Sequence, residues 1–182
     1  MMRTPLTAMV AVALVLVLNG CQTMKQNPPE TVPQVDLEKY SGLWYEIASF
    51  PARFQEGCHC TTAEYQLIGK SWIRVINRCR RNAVDGKESS IRGRAYPVEG
   101  SNNTKLKVQF FWPFRGDYHI ILLAEDYSWA VVTSGSKYLW ILSRTPEMSE
   151  NLFENLTIKL TDMGYEMSRL QKTVQNCNQA KK

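Results

Sequence analysis

The stretch Lys105-Leu-Lys-Val-Gln-Phe-Phe-Trp112 decides the fold class. Leu106, Val108, Phe110 and Trp112 fall on one face of an extended chain, and Lys105, Lys107 and Gln109 on the other. Period-two alternation of this kind makes a strand with one dry face and one wet face. Outward from it, between Gly42 and Leu142, short apolar stretches are broken by turn residues at roughly eight- to twelve-residue intervals, the spacing of an all-β sandwich or barrel. The strands read at 43–50, 61–68, 72–80, 90–97, 104–112, 118–124, 128–134 and 137–143. Eight strands with short turns fit an antiparallel up-and-down barrel. The dry face then points inward, where a barrel of this size has room for one small ligand. A packed sandwich core is the alternative burial of the same residues.

The period changes over 147–163. Met148, Leu152, Phe153, Leu156 and Leu160 recur at three and four, giving one amphipathic helix, with Pro146 ahead of it and Gly164 behind. One helix cannot close a bundle, so the expectation is all-β with a single C-terminal α-helix packed on the barrel wall.

The N-terminus reads as an address. Leu6 to Leu18 is an almost unbroken apolar run preceded by Arg3, too short to cross a hydrocarbon core of ~30 Å and suited to a secretory signal peptide. It ends in Leu18-Asn19-Gly20-Cys21, which resembles the bacterial lipobox, with Asn19 where a smaller residue is commoner. This implies a lipoprotein signal peptide over 1–20 and an acylated Cys21 as lipid anchor. Gln22 rather than Asp follows the cysteine, which by resemblance to other lipoproteins favours the outer membrane. Residues 21–35 are polar, proline-rich and aperiodic, a tether before a domain spanning 36–182.

Composition excludes several classes. The chain has 182 residues, enough for one cored domain, and its net charge of +5 is scattered apart from Arg78, Arg80 and Arg81. That is a solvated basic face rather than a nucleic-acid surface. Besides Cys21 there are four cysteines, Cys58, Cys60, Cys79 and Cys177, an even number that suits disulfides in an exported protein and allows three pairings. Cys58-His59-Cys60 invites a metal, but the spacing is not that of zinc sites and no second Cys/His pair is near. Neither a nucleophile–base pair nor a phosphate loop is recognisable, so no metal, cofactor or catalytic residue is expected.

Three ordered signatures carry a family resemblance. Gly42-x-Trp44 opens the first strand; Glu125-Asp126-Tyr127 forms a late turn; Tyr138-Leu-Trp140-Ile-Leu-Ser-Arg144-Thr-Pro146 is the last strand with its arginine. Together with the helix, they resemble the lipocalins, in particular bacterial outer-membrane lipocalins, with apolipoprotein D a more distant relative. The resemblance implies that Gly42, Trp44 and Arg144 are structural, with Arg144 lying across the Trp44 indole at the closed end. It also implies the pairings Cys60–Cys177 and, from the remaining two, Cys58–Cys79.

Lipocalins bind rather than catalyse, so function is expected in the lumen. Alternation and the resemblance give Tyr65, Leu67, Leu106, Val108, Phe110, Trp112, Tyr138, Trp140 and Leu142 as lumen residues, apolar with a few hydroxyls. The implied ligand is a fatty acid or lysophospholipid, stored or moved for envelope maintenance or stress. Its headgroup would lie near the mouth, where the loop residues Arg53 or Arg115 could meet it. Phe111-Trp112-Pro113-Phe114 reads by default as a satellite core under the loop, and otherwise would line the entrance, touch membrane or form a homodimer contact. An anchored structural or partner-binding lipoprotein with a filled barrel is the competing reading.

Overall fold

The structure is a computed structural model that describes residues 29–69 and 71–177. Cys21, the 1–20 signal segment and the first part of the tether lie outside the described residues, as does the end of the domain at 178–182. The chain runs α1 (Leu37–Tyr40), β1 (Gly42–Ser49), β2 (Cys58–Ile68), β3 (Trp72–Arg81), β4 (Glu88–Pro97), β5 (Lys105–Phe111), β6 (Phe114–Leu123), β7 (Trp129–Ser134), β8 (Tyr138–Ser143), α2 (Glu150–Asp162) and β9 (Gln171–Lys172). Sequential strands pair in order from β2 to β8, β8 pairs with β1, and β1 returns to β2. The result is a closed, eight-stranded antiparallel barrel.

Two apolar layers follow from two kinds of strand. On β2 to β5 the pattern alternates, so one face packs inward and the other is wet. β7 and β8 are instead nearly continuous apolar runs, because both of their faces are dry. Ala130, Val132 and Leu142 join the interior core, whereas Val131, Leu139 and Ile141 face out and are covered by Leu156 and Leu160 of α2. Full burial of each leucine is worth roughly 1.5–3 kcal/mol. The Ser149 hydroxyl caps α2 by accepting from the Leu152 amide, which starts the helix later than periodicity alone suggested.

β2 and β4 start two or three residues earlier than expected, and larger differences lie at the β5–β6 hairpin and at the start of the domain. β5 stops at Phe111 and pairs there with Phe114, so Trp112 and Pro113 make the turn. A register shift between Val108 and Phe111 disrupts the alternation as well. Trp112 is therefore 86 % exposed rather than in the lumen. β6 begins earlier than expected because Phe114-Arg-Gly-Asp117 has no apolar period, yet the hairpin pairs Gly116 with Val108 and Asp117 with Lys107. Finally, the last residues of the expected tether belong to the domain. Val35 is buried, the Val32 amide donates to the Ile120 carbonyl, and the Val35 amide donates to Asn102.

Candidate ligand-binding lumen

One end of the barrel is plugged. Trp44 is fully buried, and its Nε1 donates to the Tyr40 carbonyl at 2.8 Å. The Arg144 guanidinium covers the indole at 3.7 Å from ring centre to Cζ. Its nitrogens donate to the carbonyls of Leu43 (2.9 Å), Lys39 (2.7 Å), Tyr40 (3.2 Å), Ser41 (3.0 Å) and Tyr127 (3.3 Å). Burial pulls the arginine's pKa down, although the cage of carbonyls favours its charge. Gly42 is required here: its φ is +100°, and a Cβ would sit 3.3 Å from Arg144 Nη1.

Above the plug, three tyrosine hydroxyls meet. Tyr118 Oη lies 2.7 Å from Tyr40 Oη and 3.0 Å from Tyr65 Oη. Burial pushes all three phenols well above the usual range, Tyr65 to about 12, so each stays a neutral O–H. Three protons serve two links, and one O–H is left over. Tyr65 and Tyr118 face the cavity, and the spare O–H is offered to an oxygen there when it falls on either of them rather than on Tyr40.

The cavity proper occupies about 600 Å³, within the range of small-molecule sites. Val75, Val108, Phe110, Val132 and Leu142 give its walls an apolar character, while Arg81 and Arg115 stand at the open end. Gly93 makes room for Phe110, since a Cβ there would come within 2.7 Å of the ring. On one side the wall is polar. Glu46 is buried, accepting from Ser49 Oγ (3.0 Å), Gln55 Nε2 (2.7 Å) and Thr173 Oγ1 (2.6 Å). Gln55 Oε1 in turn accepts from Trp140 Nε1 at 2.9 Å.

That polar wall marks a gap closed by the C-terminus. Pairing of β1 with β2 ends at Tyr45 and Thr62, and β9 takes over on β1 at Ala48 and Ser49. Gln175 Nε2 bridges the carbonyls of Glu46 and Thr61, both at 2.8 Å. Cys60 is bonded to Cys177, which holds this segment down, and Cys58 is bonded to Cys79 across β2 and β3.

Of the residues expected in the lumen, Tyr65, Val108, Phe110, Tyr138, Trp140 and Leu142 line the cavity. Leu67 and Leu106 point inward but belong to the packed core of the plugged end, not to the cavity wall. Trp112 lies outside altogether. Sequence reasoning missed Glu46, Gln55, Phe54 and Tyr118. Glu46 follows Trp44 by two and so shares its inward face, a parity signal overridden by its charge. Tyr118 stands at the start of a forecast strand with the same parity as Ile120, and was readable. Phe54 and Gln55 sit in a loop, where no periodicity applies.

The Lipocalin-like domain family matches residues 35–175. The chain is 40% identical over 157 residues to temperature-induced lipocalin-1 of Arabidopsis thaliana, covering 81% of this chain and 83% of that one. It is 37% identical over 160 residues to outer membrane lipoprotein Blc of Vibrio cholerae, covering 85% and 91%. Apolipoprotein D of Mus musculus is 33% identical over 159 residues, covering 82% of each. Among solved structures, insecticyanin of the tobacco hornworm Manduca sexta superposes with a TM-score of 0.66 at 19% identity, covering 81% and 84%, a likeness of fold.

Proposed function

The chain belongs to the lipocalin family, and on that premise we propose that it holds a fatty acid or lysophospholipid with the acyl chain in the lumen and the headgroup at the open end. The observation that carries this reading is the apolar cavity of about 600 Å³ with cationic Arg81 and Arg115 at its mouth. Each buried methylene is worth about 0.8 kcal/mol, so a chain of about twelve supplies a gross ~10 kcal/mol before ordering costs. A barrel filled by its own side chains would have no such space. The ligand is bound for storage or transport in the upkeep of the envelope or under stress, as the likeness to outer membrane lipoproteins supports.

The same relatives, together with Leu18-Asn19-Gly20-Cys21, support an acyl anchor on Cys21 in the outer membrane, after removal of residues 1–20. Purifying the protein, denaturing it and identifying the released lipids by mass spectrometry tests the ligand. An acyl lipid in near-stoichiometric amount is expected. Neither copurified nor added fatty acid or lysophospholipid binding would sink the proposal.

A further inference from the structure

The open end carries an exposed apolar surface that extends beyond the lumen. Phe111, Trp112 and Phe114 at the β5–β6 hairpin are 68, 86 and 77 % exposed, and Phe54 on the β1–β2 loop is 60 % exposed. These are half of the large hydrophobic side chains exposed among the described residues, and they are confined to one end of the barrel. Phe54, Phe111 and Phe114 also line the cavity, so the exposed rings are continuous with its wall. Phe54 tilts against Tyr138 with ring centres 5.6 Å apart, whereas Phe111, Trp112 and Phe114 stay largely exposed, and a turn that only had to reverse direction needs no aromatic residue.

Charge is distributed along the same axis. The loops and strand ends at the open end carry Arg53, Arg81, Lys87, Arg115 and Lys137 against Glu56 and Asp85. Arg115, in β6 rather than a loop, lies over the Tyr96 ring at 5.0 Å, and Arg81 donates to the Glu56 carbonyl, contacts that leave both charges unneutralised. The nearby carboxylates of Glu88 and Asp117 are already paired with Arg80 and Lys107. The loops and N-terminal segment at the plugged end carry Glu30, Asp36, Glu38, Glu99, Glu125 and Asp126. The cations near them are Lys39, Lys105 and Arg144, and the last is committed to carbonyls, so this end stays net acidic. An aromatic collar set among cations matches the interface of a bilayer with anionic headgroups, where tryptophan rings sit at headgroup depth and cations meet phosphate.

We infer that the open end is a docking surface for an anionic bilayer, through which a lipid passes between membrane and lumen without crossing bulk water. The inference rests on the lipid-carrier reading and adds the partner and the route. The collar shields the mouth during exchange, and Arg81 and Arg115 receive the headgroup as the chain enters.

The test is tryptophan quenching in the full-length protein, reconstituted through its own membrane attachment. Brominated lipid is placed either in the host vesicles or in added vesicles, made of phosphatidylcholine alone or mixed with phosphatidylglycerol. The Trp112 signal is the difference between wild type and Trp112→Phe. Quenching of that signal in either arm, stronger with phosphatidylglycerol, is expected, and the arm identifies which membrane is engaged. Arg53→Gln with Lys137→Gln, both away from the lumen, should weaken the anionic preference by about 25-fold at roughly five-fold per charge. Absence of Trp112 quenching in both arms overturns the inference, as does protein-concentration-dependent shielding of Trp112 without vesicles, which would assign the collar to a second copy. Lipid copurification is scored in parallel. Bound lipid without quenching defeats docking alone, and quenching without any bound lipid defeats the carrier reading.

Discussion

Arg144 and Trp44 stack at 3.7 Å, and the same guanidinium ties the backbone of Lys39 to Leu43 to the end of β8. One side chain thus joins the first and last strands of the barrel and roofs its largest core residue. Arg144→Lys keeps the charge but loses the planar fork, and a stability loss of about 2–4 kcal/mol is expected. Trp44→Ala should cost about 3–5 kcal/mol. Urea denaturation measures both. Lipid affinity per folded molecule should be unchanged in Arg144→Lys; normal stability with lost binding would show that the pair serves the ligand instead.

The tyrosine cluster should govern alkaline stability. A raised folded-state pKa means the native state prefers the neutral phenol. The contribution is therefore fully present below the unfolded value of about 10 and is lost as pH rises toward the folded values, about 12 for Tyr65. Over that window each buried phenol should remove about 1.4 kcal/mol per pH unit. Tyr65→Phe with Tyr118→Phe leaves one such phenol, Tyr40, and should cut the slope by about two-thirds. Denaturation curves collected between neutrality and strong alkali check this; an unchanged slope would mean the phenols ionise freely in the folded state.

How much of this could be read from the residues depends on which force placed them. Strand β5 was legible because one wet and one dry face impose alternation, and α2 because its buried stripe has a helical period. The Gly42, Trp44 and Arg144 signature was legible only through resemblance, since nothing in the spacing shows that residues separated by a whole barrel will stack. Trp112 was misplaced because parity was carried past the point where β5 turns. A carboxylate on an inward face such as Glu46 looks like an error until the donors from Ser49, Gln55 and Thr173, the last 127 residues away, are brought together. β9 is too short to have a pattern, and exists because β1 offers unpaired backbone where β2 departs.

The Cys60–Cys177 bond closes a sequence separation of 117 and anchors the segment that supplies Thr173 and Gln175 to the Glu46 wall. Cys177→Ser combined with Cys60→Ser should lower stability by about 2–4 kcal/mol. It should also raise amide exchange selectively at 171–175 and at Cys60, whose amide donates to Val174. The Cys58–Cys79 pair, with a separation of 21, joins two strands already zipped together, and its removal should leave exchange at 171–175 unaltered. Equal effects of both removals on that segment would contradict the assignment of the C-terminus to Cys60.

Neighbouring residues on β5 offer a parity test of the lumen itself. Val108 lines the cavity and faces Gly116 on the adjoining strand, so a larger side chain can extend into open space without displacing backbone. Lys107, one residue away, points outward and pairs with Asp117. Val108→Trp should therefore reduce affinity for a long-chain fatty acid by at least about tenfold, roughly 1.4 kcal/mol, while shifting preference toward shorter chains. Stability should change by less than about 1.5 kcal/mol, because the indole fills a void rather than a packed core. Lys107→Gln removes only an exposed ion pair, worth about 0–1 kcal/mol, and should leave affinity as it was. Titration of a fluorescent fatty acid against both variants reads the difference. Equal loss in the two would place the lipid on the outer wall, and no loss in either would leave the cavity without a role in binding.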